Sequence, residues 1–209
     1  MPRADAMISP MSAVDKHQES PDAVTALARV RKGDLDALAV VMDEYQGRLL
    51  RYLVRLVKEQ AIAEDLFQLT WLRVMEKIRS YDSGRDFGPW LFTISRHLAL
   101  DHLRRYQPES LDETLPSGDS REALVPHEAP GAMDTLLAEE RAILVAQAML
   151  ELPLIFREVL SLRFEEEMKL EEIAGVLGIP LSTVKSRLRR GLDGLRSKLE
   201  KQYQWTGYE

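Results

Sequence analysis

The sequence predicts an all-α protein made of two small helical domains joined by a flexible acidic linker. Three observations carry this. Apolar residues recur at three- and four-residue steps through most of residues 24–106 and 134–201, the spacing that lines one face of a helix. No stretch alternates apolar and polar residues for long enough to make a convincing strand. Between Gln107 and Gly131 the periodicity disappears, and four prolines, two glycines and six acids take its place, a composition that favours extended, solvated chain.

The N-terminal half reads as helix after helix. Ser20 or Asp22 can cap a first helix through Val24, Leu27, Val30 and Arg31, which Gly33 ends. Asp34 caps a longer one carrying Leu35, Leu38, Val41, Met42, Tyr45, Leu49, Leu50, Leu53 and Leu56. A third begins near Ala61 and runs to about residue 79. A polar break, Ser80 to Gly88, precedes a fourth helix, with Pro89 in its first turn. The expected boundaries are a disordered tail over 1–23, a first domain over 24–106, the linker over 107–133, a second domain over 134–201 and a C-terminal tail over 202–209.

The second domain has one helix on Leu136, Leu137, Ile143, Leu144, Ala148 and Leu150, and another opened by Pro153. A short acidic turn, Glu165 to Glu167, reads as solvated. A compact pair follows: a short amphipathic helix on Leu170, Ile173, Ala174 and Leu177, a turn at Gly178-Ile179-Pro180, and a long helix from about Ser182. This is the plan of a helix-turn-helix. Ala174 is small where two helices must approach, Ile179 can plug the corner, and Ser182 or Thr183 can cap the second helix. At 100° per residue, Val184, Leu188, Leu192, Leu195 and Leu199 form the expected buried stripe. Thr183, Ser186 and Arg190 lie opposite, with Lys185, Arg187 and Arg189 on the flanks.

Charge distribution says more than its total. The net charge of the 209 residues is −6, yet residues 24–106 carry +3 and the stretch from Lys185 to Lys201 holds seven basic groups against two acids. Residues 107–133 carry −5. An acidic strip thus separates two parts that each hold a basic patch, the pattern of an electrostatic footprint for an anionic partner. There is no cysteine, which excludes disulfides, thiolate metal sites and thiol catalysis in this chain. No secretory signal is visible in the first twenty residues, and the longest uncharged stretch, Ile173 to Val184, is too short for a membrane helix. A cytoplasmic protein is expected. No HExxH, glycine-rich phosphate loop or Gly-x-Ser-x-Gly elbow occurs. The expectation is a protein that is not an enzyme and needs no cofactor or metal.

Two constellations could bind. On the third helix, Asp65, Gln68 and Trp71 recur at three-residue steps, and a large aromatic beside polar groups can anchor a partner. Further on, Tyr81, Phe87, Trp90 and Phe92 surround a loop containing Arg85, followed by Arg96, His97, His102, Arg104 and Arg105. Aromatics interleaved with basic groups suit unpaired bases, which offer flat faces to stack on and phosphates to pair with.

The stretches Ala63-Glu64-Asp65-Leu66-Phe67-Gln68, Trp90-Leu91-Phe92, His97 to Arg105, Ile173-Ala174 and Ser182 to Arg187 together resemble a bacterial RNA polymerase sigma factor of the extracytoplasmic-function class. The resemblance implies a first module that holds core RNA polymerase and melts the minus-ten promoter element, and a second that reads the minus-thirty-five element. It implies that Asp65, Leu66, Gln68 and Trp71 grip the polymerase. It assigns Tyr81, Arg85, Phe87, Arg96, His97, Asp101, Arg104 and Arg105 to the minus-ten DNA. It assigns Thr183, Lys185, Ser186, Arg187 and Arg190 to the minus-thirty-five DNA. It also implies an anti-sigma factor as a further partner. Two positions depart from the family pattern: His97 stands where Asn is common, and Leu69 where Glu is common. The alternative reading is a stand-alone helix-turn-helix regulator of duplex operators.

Overall fold

In the computed structural model, the described residues are 21–34, 36–106 and 132–206. Eight α-helices account for most of them: α1 (Pro21–Arg31), α2 (Asp36–Val57), α3 (Gln60–Lys77), α4 (Phe87–Tyr106), α5 (Ala132–Leu150), α6 (Leu154–Leu160), α7 (Leu170–Leu177) and α8 (Leu181–Thr206). A 3-10 turn follows α3 at Ile78–Ser80, and a π turn follows α6 at Ser161–Glu165. No strand occurs among the described residues.

The first unit is built around α2. Gly33, at φ 98°, takes the left-handed backbone that ends α1. Asp34 then accepts from the Ala37 N–H at 3.3 Å and from Arg29 Nε at 2.9 Å, so one carboxylate caps α2 and ties it to α1. The Arg29 hydrogen bond holds the Asp34 carboxyl below its usual range. Tyr45, Leu49, Tyr52, Leu53 and Leu56 on α2 meet Ala63, Leu66 and Val74 on α3 and Phe87, Leu91, Phe92 and Leu103 on α4. Edge-to-face pairs lock this core, Tyr52 with Phe92 at 5.1 Å and Tyr45 with Phe87 at 5.4 Å between centroids.

The second unit folds α5, α6 and α7 around α8. Gly178 sits at φ 65° and ψ 35°, and its N–H returns to the Ala174 carbonyl; this is the left-handed cap that stops α7. The Ile179 N–H reaches the same carbonyl at 3.2 Å. Helix α8 starts at Leu181 on the Pro180 carbonyl, which accepts from Thr183 N at 2.9 Å and Val184 N at 3.1 Å. The expected start at Ser182 is therefore one residue late.

The two units are not separate bodies. Helix α4 packs on α7, and α2 packs on α6 and the π turn. One continuous apolar cluster joins the α2–α4 core to Leu154, Val159, Leu162, Met168, Ile173, Val176, Leu177 and Val184. A smaller cluster, Met149, Leu152 and Leu160 with Val145, Leu188 and Leu195, lies within the second unit.

Several expected boundaries move. Residues 21–23 belong to α1 rather than to a tail, and Ala23 is fully buried. Ala132 and Met133 belong to α5 rather than to the linker, and α8 continues to Thr206 through the expected C-terminal tail. The rest of the linker, residues 107–131, lies outside the described residues, as do the tail positions 1–20 and 207–209.

Candidate nucleic-acid interface

Helix α3 carries apolar residues on both sides: one side packs on α2 and α4, and the other is exposed and mixes polar with apolar groups. Asp65 and Gln68 are exposed, and beside them stand Leu69, Leu72 and Met75, all exposed. Leu66 and Trp71 are not on this face. Both are buried, Trp71 at 3% exposure against the core and edge-to-face with Phe67 at 6.2 Å. Each three-residue step falls about 60° short of a full turn, so by Trp71 the row has drifted about 120° from Asp65, off the exposed face and toward the interior. The expected anchor at Trp71 is thus a core residue. The apolar groups available for contact are Leu69, Leu72 and Met75. Only the low amphipathicity of α3 hinted at them.

The loop from Tyr81 to Asp86 is a tight turn. Asp82 accepts from the Gly84 N–H at 3.0 Å through its side chain and from the Arg85 N–H at 3.1 Å through its carbonyl. The Tyr81 hydroxyl donates to the Arg85 carbonyl. Tyr81, Phe87 and Trp90 pack on one another with centroids 5.0–5.5 Å apart. Tyr81 and Phe87 are buried, so the expected stacking platforms are instead the floor on which the loop rests. Asp82 to Asp86, Arg85 included, form the exposed rim, and Trp90 is half-buried.

Helix α4 sorts the basic set into two directions. His97, Asp101, Arg104 and Arg105 are exposed, and Arg104 Nη1 holds Asp101 Oδ1 at 3.3 Å. They line one solvent-facing strip, as their spacing predicts. Arg96 points the other way, into the junction. Its Nε donates to Glu158 Oε2 at 2.9 Å and its Nη2 to Oε1 at 3.3 Å.

On helix α8, Lys185, Arg189 and Arg190 are exposed and Thr183 and Ser186 are half-buried. Ser186 Oγ donates to the Thr183 carbonyl at 3.0 Å. Arg187 leans back over the junction, where its Nη1 lies 3.5 Å from Glu158 Oε1. The buried side of α8 differs from the expected stripe. Val184 is buried and Leu188 and Leu195 are half-buried, but Leu192 is exposed at 41%. The residue that nestles against α6 is Gly191, where a Cβ would lie 3.2 Å from Leu160 and 3.3 Å from Phe156. The helix crosses α6 closely there, and a leucine-only stripe could not show it.

Between the units lies a row of ion pairs that the sequence did not announce. Arg48 Nε meets Glu166 Oε2 at 2.8 Å, Arg55 Nη2 meets Glu165 Oε1 at 2.9 Å, and Arg96 meets Glu158. Glu158 and Glu166 have side chains only 2% and 1% exposed. The turn expected to be solvated at Glu165 to Glu167 therefore carries two carboxylates engaged with α2. Burial lowers the basicity of Arg96, but the Glu158 hydrogen bond and field outweigh it and hold the guanidinium charged more firmly than usual. Burial, then the Glu158 field, push the Tyr52 phenol well above its ordinary range. Burial likewise pushes the Glu166 carboxyl up to about 7, against the pull of Arg48 and Arg51. No group of metal-ligating side chains occurs among the described residues, and none of their helices is long and apolar enough to cross a membrane.

Comparison with known proteins accounts for both units. Residues 41–109 match Sigma-70 region 2 and residues 148–197 match Sigma-70 region 4. The chain is 32% identical over 176 residues to the ECF RNA polymerase sigma factor SigW of Bacillus subtilis, covering 83% of this chain and 94% of that one. Its fold resembles CnrH in complex with the cytosolic domain of CnrY, with TM-score 0.61 at 20% identity over 87% of this chain and 99% of the other. It also resembles the sigma factor RpoE of Bartonella quintana in complex with the anti-sigma factor NepR. That match has TM-score 0.55 at 27% identity, over 77% of this chain and 96% of the other. A stand-alone helix-turn-helix regulator would need only α7 and α8, whereas α2–α4 match as well and in the same order along the chain. The chain belongs to the ECF RNA polymerase sigma factors.

Proposed function

We propose that this chain is an alternative sigma factor that binds core RNA polymerase, directs it to particular promoters and helps open the DNA there. The observation that carries this reading is the division of labour among three exposed faces on two sigma regions. The α3 face, Asp65 and Gln68 with Leu69, Leu72 and Met75, combines polar groups with uncovered apolar area and suits a protein partner. The α4 strip, His97, Asp101, Arg104 and Arg105, with the Arg85 rim, suits the minus-ten DNA. The α8 face, Thr183, Lys185, Ser186 and Arg190, suits the major groove of the minus-thirty-five element.

The protein acts by binding, not by covalent chemistry, and works in the cytoplasm beside the polymerase. Melting follows from differential binding. Unstacking a base costs a few kcal/mol, and capture of unpaired bases on the α4 side offsets it. A resemblance to a sigma factor solved with its anti-sigma factor supports an anti-sigma factor as the regulator here too.

Reconstitution tests the reading. The purified chain should bind core polymerase and confer initiation at a defined promoter set. Asp65→Ala with Gln68→Ala should weaken core binding by about tenfold, a loss of 1.4 kcal/mol, while leaving helicity intact. Tight, specific duplex binding by the chain alone, with no affinity for core polymerase, would overturn it.

A further inference from the structure

Arg187 stands where the outward face of α8 meets its buried side. At about 100° per residue it lies about 40° from Thr183, which belongs to the outward set, and about 40° the other way from Gly191. Gly191 is the point of close approach to Leu160 and Phe156 on α6. An arginine at such a boundary can lay its stem along the neighbouring helix and turn its head either way. Here the head is held: Arg187 Nη1 lies 3.5 Å from Glu158 Oε1, with the Arg187 side chain 23% exposed and that of Glu158 only 2%.

Glu158 takes two cations. Arg96 comes from α4 at 2.9 Å, whereas Arg187 comes from α8, in the same unit as Glu158. The Glu158–Arg187 pair is therefore internal to the second unit and does not depend on where α4 lies. A carboxylate this deeply buried demands a cation, and among the described residues Arg187 is the one the second unit supplies.

We propose that Glu158 is a positioning residue for minus-thirty-five recognition: it grips one edge of the Arg187 guanidinium from beneath, so that the other edge meets a DNA phosphate at the wall of the groove. The proposal rests on the sigma-factor reading and adds to it a residue that touches no DNA itself. The chemistry suits the task. A guanidinium carries its N–H donors in a rigid planar fork, so a carboxylate on one edge leaves donors on the other for phosphate. A free arginine gives up side-chain freedom when it takes a phosphate, and one already held gives up less. Phosphate contacts set the register of a groove-bound helix. A fixed Arg187 thus sets how α8 seats, while Thr183, Ser186 and Arg190 face the bases.

The test uses purified holoenzyme on duplex promoters with an intact or a scrambled minus-thirty-five element, over a range of salt. Arg187→Ala should weaken binding to the intact promoter by about tenfold and lower the salt slope by about one. Glu158→Gln, which keeps the shape but removes the charge, should weaken it in the same direction and move the salt slope toward that of Arg187→Ala. The double variant should bind no more weakly than Arg187→Ala alone, the sign of two residues acting as one. Both losses should shrink on the scrambled element. Should Glu158→Gln fail to fold, Glu158→Asp keeps the charge but shortens its reach. It should weaken binding in the Arg187 parent and not in the Arg187→Ala background. Full additivity of the two changes overturns the proposal. So does a folded Glu158→Gln holoenzyme that binds as tightly as the parent, or more tightly because a negative charge has gone. Unchanged affinity and salt slope in Arg187→Ala overturns it as well. A parent chain that does not bind core polymerase would overturn the sigma-factor reading and this proposal together, whereas failure of the pairing alone leaves the parent's promoter binding intact.

Discussion

Arg157 donates from Nη2 to the main-chain oxygen of Leu56, 101 residues earlier, at 3.1 Å. Its Nη1 donates to the oxygens of Leu150 at 3.0 Å and Leu152 at 2.9 Å. One fully buried guanidinium on α6 thus satisfies carbonyls at the ends of α2 and α5. Such terminal carbonyls lack partners within their own helices and form the negative end of the helix dipole, where a cation is favoured.

Arg157→Met should therefore leave three carbonyls short of a donor and cost roughly 2–4 kcal/mol. Arg157→Lys should recover little of this, since a single ammonium cannot replace the planar fork that spans both helix ends. Urea denaturation of the two variants against the parent measures it. Parental stability in Arg157→Lys would show that charge alone suffices.

Stability should depend on pH through Glu166. Its carboxyl is raised from 4.5 to about 7 by burial, with Arg48 and Arg51 on α2 opposing and Glu165 adding to the shift. The folded state therefore holds an extra proton between those values. Stability should rise as pH falls from about 7 toward 4.5 and level off above 7. The span is roughly 3 kcal/mol, and Glu166→Gln should flatten that part of the profile. Denaturation midpoints at pH 5, 6, 7 and 8 for both proteins decide it; parallel profiles would mean the carboxylate is charged throughout.

The close crossing at Gly191 sets a size limit. A Cβ there already falls 3.2 Å from Leu160 Cδ1 and Cγ. Gly191→Val adds two methyl groups beyond that point. Despite the gain in helix propensity, it should destabilise the protein by about 1–3 kcal/mol through overpacking. A thermal melt of the variant at or above the parent's would show that α8 slides to make room.

Arg190 and Arg189 are neighbours on α8, both exposed, and should behave differently on DNA. Arg190→Ala should cost about 1–3 kcal/mol at particular base pairs of the minus-thirty-five element, as a lost bidentate base contact does. Arg189→Ala should weaken binding evenly and reduce the salt slope by about one. Holoenzyme binding to a randomised minus-thirty-five library at several salt concentrations separates the two; identical profiles would mean that neither residue reads a base.

The helices were legible because period and punctuation are local. Gly33 and Gly178 mark the ends of α1 and α7, and the spacing of Leu49, Leu53 and Leu56 marks the inner face of α2. The exposed strip His97–Asp101–Arg104 was legible for the same reason. Burial by a distant partner was not. Glu165 and Glu166 look like a solvated turn until their arginines arrive from 110 and 118 residues away. Trp71, Tyr81 and Phe87 have the composition of a binding surface, but only the packing of α3 and α4 on α2 decides that they face inward. Gly191 reads as a weak point in a helix until α6 is laid beside it.

The three ion pairs across the junction make the halves of this chain a matched set. Positions 48, 55 and 96 carry the cations, and 166, 165 and 158 the anions. A reversal at one member leaves two like charges facing each other in a buried seam. Drift at these six positions is therefore constrained to come in compensating couples. A hybrid joining either half to its counterpart from a relative inherits a mismatched seam unless the complementary charges travel with it. Recombination between such genes should accordingly spare outward recognition surfaces and fail at the seam.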